Sequence, residues 1–380
     1  MSDEKMIVRV EDGTISITDG VRVLVVDRLG RILIYSNGRK TYRRSLLNVF
    51  VEVGYRDSVR IARRLSEDEA RIVVDEAYSF LRRAERELRP YMDNIESLGW
   101  EFLVSDSAKL MSIYSGPVPI VPPDQYFPIY VQVTVGCAWN RCTFCHLYRD
   151  MAYRVLEPEE LYAQIKGLVE YFGPTIRSRR SIFLGDANAL LVEQDRIRSY
   201  MRIIRESFNL PMYSFIDGFI TPRRLRVEDL RELRNLGLTK VYFGIESGNE
   251  DVLRILNKPM STEKALSFIS EVKKAGINVG LIFLAGAGGR KYWEQHVRDS
   301  ARFVSRLELE RLDTVFISPL HEYPDLPYYS MLTELGKLSE EDKWKQFQEM
   351  KRAIEETYLR YRGIQLQAPV VLYDIVESVY

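Results

Sequence analysis

The sequence has few cysteines, few histidines and no long apolar run. Its 380 residues include only three cysteines and three histidines, which excludes a disulfide framework of the kind that stabilises small secreted domains. No apolar stretch approaches the roughly 18 residues that span a bilayer, and residues 1–5 lack the apolar segment of a secretion signal. We therefore expect a cytoplasmic protein without a membrane-spanning segment.

The chain also lacks an excess of charge of either sign. Its 54 Lys and Arg residues are balanced by 54 Asp and Glu residues, so the overall charge does not indicate nucleic-acid or membrane binding. One local basic run, Arg39-Lys40-Thr41-Tyr42-Arg43-Arg44, could contact RNA. Such a run is more often a solvated turn, and RNA is therefore the less favoured partner.

The N-terminal third of the chain resolves into short strands and one helix. Runs rich in Val and Ile are separated by Asp-Gly or Leu-Gly pairs, which is typical of hairpins. An amphipathic segment over 66–89 begins with acidic residues that suit a helix N-terminus. Four prolines between residues 116 and 124 predict an extended linker. We assign residues 1–115 to a small N-terminal α+β domain and 116–128 to a proline-rich linker.

Beyond the linker, candidate strands alternate with amphipathic helical segments. The candidate strands are 129–135, 181–184, 212–216, 240–245, 278–284 and 314–318. Their alternation with helices predicts an α/β fold with a parallel sheet and right-handed crossovers, a partial (β/α)6 barrel of the TIM type. We assign residues 129–330 to this barrel and 331–380 to a C-terminal helical extension, in which 338–362 is a charged helix.

Polar or glycine-containing stretches follow four of the predicted strands. They are 137–145 after the first strand, 185–188 after the second, 246–249 after the fourth and 285–289 after the fifth. Chemistry in a barrel of this type occurs at the carboxyl ends of the strands. The four stretches should therefore face one cavity.

All three cysteines lie within nine residues, as Cys137, Cys142 and Cys145. Three thiolates can bind three irons of a 4Fe–4S cubane and leave the fourth iron open to a substrate or cofactor. The alternatives are three buried free cysteines or a zinc site completed by His146. Chance rarely gathers every cysteine of a chain in one segment. A structural zinc site normally has four ligands, and His146, adjacent to Cys145, would have to fold back sharply.

The segment around the cysteines resembles the corresponding loop of the radical S-adenosylmethionine superfamily. It follows the first predicted strand and has an aromatic residue just before the third cysteine; its sequence is Gly136-Cys137-Ala138-Trp139-Asn140-Arg141-Cys142-Thr143-Phe144-Cys145-His146-Leu147-Tyr148. The resemblance extends over residues 117–320. The commonest spacing in this family has three residues between the first two cysteines, whereas this chain has four, as in a subset of uncharacterised members with a similar Trp-Asn-Arg insertion.

The resemblance implies a 4Fe–4S cluster on Cys137, Cys142 and Cys145, with S-adenosylmethionine bound to the fourth iron. The residues that it places around this cofactor are Phe144, Gly185, Asp186, Asn188, Glu246, Ser247 and Gly286. A buried carboxylate such as Glu246 needs a partner, which the methionine amino group would provide. The plainer alternatives are that an acidic residue at a strand end is a helix cap and that a glycine cluster is an ordinary loop.

The implied reaction is the reductive cleavage of S-adenosylmethionine to methionine and a 5′-deoxyadenosyl radical, which abstracts hydrogen from an unidentified substrate. It requires an electron donor such as a ferredoxin or flavodoxin. The competing interpretation is a non-catalytic iron–sulfur or zinc protein that acts as a sensor or scaffold, which needs the cysteines alone. His296 and His321 are expected to be packing or surface residues, although His321 follows the sixth strand and could reach a substrate.

Overall fold

The structure is a computed structural model that describes residues 6–125, 127–216 and 225–375. The chain divides into two compact units. The first contains the residues up to 130, residues 162–181 and those from 374 onward, and the second contains 131–161 and 182–373. The domain boundaries expected at residues 115, 128 and 330 stay predictions. Residues 1–5, on which the absence of a secretion signal was argued, lie outside the described residues.

The first unit is built on a sheet of seven antiparallel strands, in which each strand pairs with its sequence neighbours. The strands are β1 (Ile7–Glu11), β2 (Thr14–Thr18), β3 (Val23–Asp27), β4 (Ile32–Ser36), β5 (Thr41–Arg44), β6 (Phe50–Arg56) and β7 (Val59–Arg64). Burial alternates along β2, where Ile15 and Ile17 are fully buried and their neighbours are not. One face of this sheet therefore carries the core of the unit.

The helices α1 (Glu67–Arg82), α2 (Glu85–Leu88) and α3 (Trp100–Met111) complete the first unit up to residue 115. Helix α1 begins with a capping box, because Ser66 Oγ accepts the N–H of Glu69 while Glu69 Oε2 accepts the N–H of Ser66. Its buried face includes Val74 and Phe80, which pack in one cluster with the sheet residues. This part of the chain therefore combines an antiparallel sheet with helices, while its assignment as a separate domain of residues 1–115 stays a prediction.

Two details of the first unit differ from the sequence-based expectations. The basic run at 39–44 ends in strand β5 instead of a solvated turn, and Arg44 is only 3% exposed. Its guanidinium donates to Asn48 Oδ1 (2.8 Å) and to the carbonyl oxygen of Leu103 (3.3 Å), so Arg44 is not available to RNA. Val118 and Val121, in the proline-rich segment, are buried. These two side chains are therefore covered by other parts of the protein, while the linker assignment of 116–128 stays a prediction.

A second sheet of seven strands has the order β16-β15-β14-β13-β12-β11-β8, with parallel pairing from β11 to β16. Its strands are β8 (Ile129–Gln132), β11 (Ile182–Gly185), β12 (Met212–Phe215), β13 (Leu238–Glu246), β14 (Asn278–Ala285), β15 (Thr314–Pro319) and β16 (Val370–Leu372). A separate antiparallel ladder joins β9 (Thr134–Val135) to β10 (Arg154–Val155). The six predicted strands are confirmed, and β16 adds a seventh at the edge.

Helices alternate with these strands. They are α4 (Pro158–Phe172), α5 (Gln194–Phe208), α6 (Val227–Asn235), α7 (Glu250–Ile255), α8 (Thr262–Lys274), α9 (Trp293–Ser305), α10 (Pro327–Leu335) and α11 (Glu340–Arg362), with short 3₁₀ helices at Ile95–Ser97, Gly173–Ser178, Ala189–Leu191 and Arg290–Tyr292. Within the described ranges, no helix is both long and apolar enough to cross a membrane.

Aromatic side chains fill the interior of the curved sheet. The rings of Phe183, Phe215, Tyr242 and Phe316, from four different strands, contact one another at centroid distances of 5.2 to 6.0 Å. Gly244, Ile282 and Phe316 lie in register on adjacent strands. The carboxyl ends of the parallel strands therefore meet at one edge, above this aromatic layer, which confirms the α/β barrel-type fold.

Candidate functional site

The three cysteines lie on one loop, here called the cysteine loop, which comprises residues 136–153. The loop begins and ends at a ladder, since Val135 pairs with Arg154. All three cysteines are partly exposed. The N–H of Asn140 donates to Cys137 Sγ (3.5 Å), a contact that suits a thiolate. The ladder thus closes the two ends of the cysteine loop, and the three sulfur atoms lie on one short segment within it.

Asp186 fixes the start of the cysteine loop. It follows β11 directly and is fully buried. Its Oδ2 accepts the N–H of Gly136 (2.8 Å), and its own N–H donates to Thr134 Oγ1 (2.9 Å). Gly136 has φ 78°, a left-handed conformation that glycine adopts without a steric penalty. The carboxylate therefore holds the backbone in front of Cys137 and does not serve as a helix cap.

Hydrogen bonds also tie the cysteine loop to the segment that ends α7. Thr143 donates through its N–H (3.1 Å) and its Oγ1 (2.9 Å) to two carbonyl oxygens of that segment. Trp139 Nε1 donates to the carbonyl oxygen of Asn257 (2.9 Å), and Asn257 Nδ2 donates to that of Arg141 (2.8 Å). Trp139 and Arg141 lie between the first two cysteines, so the four-residue spacing supplies two of these contacts.

A buried ion pair lies beside the cysteine loop. Glu246, the last residue of β13, has its Oε1 3.3 Å from Lys258 Nζ, and the two side chains are 10% and 6% exposed. Glu246 has φ 62°, which is uncommon for a residue with a side chain. Backbone outliers of this kind concentrate at functional sites. Lys258 was not predicted from the sequence, since a lysine that follows a short helix is ordinarily exposed.

The environment of the thiols fits a group that supplies positive charge. Burial, together with the charges of Cys137 and Glu246, raises the pKa of Cys145 to about 11, although the backbone N–H of Leu147 and the charge of Lys258 act to lower it. A metal ligand must lose its proton, so a cation close to Cys145 is needed to make its thiolate. An iron–sulfur cluster, with each thiolate on a different iron, provides such charge.

A zinc site would need a fourth ligand beside the three cysteines. Among the residues that the structure describes, no group of three or more His, Cys, Asp or Glu side chains converges on a single ion. The ring of His146 packs instead against Tyr323, with centroids 4.0 Å apart. A zinc ion requires ligand atoms within about 2.3 Å of one point, whereas a cubane spreads three thiolates over three irons. Zinc and a cluster thus require different arrangements of the three thiolates.

The side chain of Ser247 forms hydrogen bonds within the protein. Its hydroxyl lies 2.7 Å from His296 Nδ1 and accepts the N–H of Asn249 (3.0 Å). His296 Nε2 lies 2.9 Å from the carbonyl oxygen of Leu284, which can only accept. The imidazole proton is therefore on Nε2, and Nδ1 accepts the hydroxyl proton of Ser247. His296 is fully buried and joins the end of β14 to the turn after β13.

We expect the stability of the protein to depend on pH through His296. Burial lowers the pKa of His296 from its ordinary value of 6.5 to about 4. Below pH 6.5 His296 binds a proton in the unfolded chain, whereas in the native protein it stays neutral until the pH approaches 4. The free energy of unfolding therefore decreases as the pH falls. Between pH 7 and 4 this site should lower the free energy of unfolding by about 3 kcal/mol. Urea denaturation of wild type and His296→Gln at both pH values measures the difference, and equal losses in the two proteins would contradict the assignment.

Phe144 and Gly286, which were also predicted to lie near the cofactor, contact other parts of the protein. Phe144 packs, partly buried, against an apolar cluster that includes Leu284 and Tyr328. The N–H of Gly286 donates to Gln346 Oε1 (2.5 Å), and its carbonyl oxygen accepts the hydroxyl of Tyr328 (3.2 Å). Their backbone and side-chain contacts thus bind the carboxyl edge of the sheet to α10 and α11.

The other predicted positions lie at the expected strand ends. Gly185 ends β11, Asn188 is buried just before a short 3₁₀ helix, and His321 is partly buried after β15. The structure therefore brings the cysteine loop, Asp186 and Glu246 to one edge of the sheet.

Comparisons with known proteins identify the same region. Residues 131–304 match the Radical SAM superfamily. The chain is 22% identical over 172 residues to a protein named heme chaperone HemW from Buchnera aphidicola, in a match that covers 44% of this chain and 45% of that protein. It is 23% identical over 239 residues to a putative methylthiotransferase from Methanocaldococcus jannaschii, with 58% and 49% covered. The chain thus spans about half the length of these relatives.

Among solved structures, the chain is similar to coproporphyrinogen III oxidase from Escherichia coli. The sequence identity is 16% and the TM-score is 0.46, and the match covers 66% of this chain and 56% of that one.

Proposed function

Because residues 131–304 form a radical SAM superfamily domain, we propose that the chain is an enzyme that cleaves S-adenosylmethionine reductively. The cofactors of this superfamily are a 4Fe–4S cluster and S-adenosylmethionine. The observation that carries the proposal is the buried pair of Glu246 and Lys258 beside the cysteine loop. A protein that merely holds a cluster has no use for two opposite charges at this position.

The cysteines would hold the cluster. Cys137, Cys142 and Cys145 would each bind one iron of the cluster and would leave its fourth iron open to S-adenosylmethionine. When bound and reduced, the cluster supplies the electron that breaks the sulfur–carbon bond, which yields methionine and a 5′-deoxyadenosyl radical that abstracts hydrogen from a substrate.

Glu246 and Lys258 would receive the methionine end of the cofactor. That end carries an amino group and a carboxylate, so its N–H groups could donate to Glu246 and its carboxylate could pair with Lys258. A buried charge is tolerated only with a compensating partner. The mutual contact at 3.3 Å compensates both side chains before the cofactor enters, and the cofactor would offer each a new partner.

Other residues would hold the cysteine loop and Glu246 in place. Asp186 holds the backbone before Cys137 through Gly136. Thr143 holds the second half of the cysteine loop against the segment that ends α7. The bond between Ser247 and His296 fixes the turn that follows Glu246. Each contact limits the freedom of a group that has to meet the cofactor, which is how an enzyme lowers the entropy cost of orientation.

Anaerobic reconstitution with iron and sulfide tests the proposal. After reduction with dithionite in the presence of S-adenosylmethionine, we expect 5′-deoxyadenosine and methionine in equal amounts by mass spectrometry. Incubation in heavy water with a cell extract then traces the hydrogen source, because deuterium in 5′-deoxyadenosine marks exchangeable donors. A protein that holds a cluster and yields no 5′-deoxyadenosine would contradict the proposal.

A second candidate function is a non-catalytic iron–sulfur protein that acts as a scaffold, sensor or chaperone. It is favoured by the similarity to a protein named heme chaperone. This function requires the cysteines but not Glu246 or Lys258. Titration of the reconstituted protein with heme, followed by the Soret absorbance, measures the binding that this candidate requires.

A further inference from the structure

We propose that the exposed side of the cysteine loop is the docking site of an acidic one-electron carrier protein. This loop surface consists of Trp139, Arg141 and Arg149. The inference rests on the proposed function, because a reductive cleavage requires such a carrier and a scaffold does not. The carrier would lose one electron and the cluster would gain one, and no atom or proton has to pass between the two proteins.

The charges of the loop surface are available to a partner. Arg141 and Arg149 are exposed, and neither forms an ion pair with any residue in the ranges 6–125, 127–216 and 225–375. Two neighbouring arginines differ, since Arg154 pairs with an acidic side chain on α4 and Arg254 with one on α7. Uncompensated positive charge steers an acidic protein toward this face.

Arg149 connects the loop surface to the predicted cluster ligands. Its Nε donates to the carbonyl oxygen of Cys145 (3.2 Å), and its Nη2 donates to that of Cys142 (3.3 Å). A carboxylate that binds the free edge of this guanidinium would lie one side chain away from two cysteines. Electron transfer slows steeply with distance, so a carrier has to dock where the ligands reach the surface, and these cysteines are partly exposed.

Trp139 gives the surface an ordered aromatic anchor. Its Nε1 donates to Asn257, and the guanidinium carbon of Arg141 lies 5.4 Å from its ring centre, within the range of a cation–π contact. Trp and Arg are the residue types that dominate the binding energy of protein interfaces. The single acidic residue of the loop, Asp150, is also exposed and opposes the proposed attraction.

Flavodoxin, a small acidic carrier, is the probe for the test. Calorimetric titration of the full chain measures its dissociation constant at low and at high salt. We expect Arg141→Glu to raise this constant about tenfold at low salt and added salt to weaken binding to the wild type. The matched control is Arg231→Glu, which reverses an exposed arginine on α6, and Asp150→Asn should strengthen binding.

Rates with two reductants separate this inference from the proposed function. Arg141→Glu should lower the rate of 5′-deoxyadenosine formation with reduced flavodoxin and leave the rate with dithionite unchanged, because dithionite needs no docking site. Equal flavodoxin binding by wild type and Arg141→Glu, equal losses in Arg231→Glu, or no salt-sensitive binding by the wild type would overturn the docking site. Failure of the proposed function has another signature, which is the absence of cleavage with dithionite.

Discussion

A Glu246→Gln variant is expected to form 5′-deoxyadenosine about 100-fold more slowly than the wild type while it retains the same iron content. Glutamine preserves the size of the side chain but removes the negative charge that would accept the N–H groups of the cofactor's amino end. It also removes the carboxylate that lies 3.3 Å from Lys258, so this lysine loses the counter-charge of their ion pair. The measurement is the initial rate after dithionite reduction, with iron determined on the same sample.

Two further variants make this result specific. Lys258→Met should weaken the binding of S-adenosylmethionine, measured by equilibrium dialysis, because it removes the cation assigned to the carboxylate. Glu232→Gln changes an exposed carboxylate on α6 and should leave rate and binding unchanged. If Glu246→Gln cleaves S-adenosylmethionine at the wild-type rate, the pair does not hold the methionine end of the cofactor.

Alanine at Cys145 is expected to abolish cluster binding. The three thiolates would each hold one iron, and the chain contains no fourth cysteine to replace one that is lost. The fold should survive, since the hydrogen bonds of Thr143 and Trp139 that tether the loop do not involve a sulfur atom. Iron and sulfide analysis after reconstitution measures the loss, and the thermal unfolding midpoint reports whether the fold is intact.

The small number of cysteines makes a direct count possible. A thiol reagent such as dithiobis(nitrobenzoate) should detect three thiols in the unfolded wild type and two in Cys145→Ala. In the reconstituted protein the same reagent should react slowly, because the thiolates are bound to iron. A Cys145→Ala protein that holds as much iron as the wild type would show that the cluster ligands are other residues.

The parallel sheet could be predicted because its strands are buried on both sides. Such strands form continuous apolar runs, as in β14, where seven of the eight residues are buried. The edge strands gave weaker signals. Strand β7 has no buried residue and three arginines, and β16 has three residues. Both owe their structure to pairing with a neighbour, which is a tertiary interaction.

The positions of the site could be predicted better than its contacts. The rule that chemistry lies at strand ends located Asp186, Glu246 and Ser247. The partners of these residues are distant in sequence. Ser247 meets His296 49 residues away, and Gly136 meets Asp186 50 residues away. No local periodicity encodes such pairs. The sequence therefore did not reveal that Asp186 and Ser247 form hydrogen bonds with other groups of the protein.

We expect the cysteine loop to be ordered before the cluster binds. The ladder of β9 and β10 and the contacts of Trp139 and Thr143 with the α7 end order the cysteine loop through atoms other than sulfur. Fixing a backbone costs about 1–2 kcal/mol per residue in conformational entropy. For this loop the cost is part of the free energy of folding and not of cluster binding. Iron then enters a template, unlike the metal of small zinc domains that fold only around their ion.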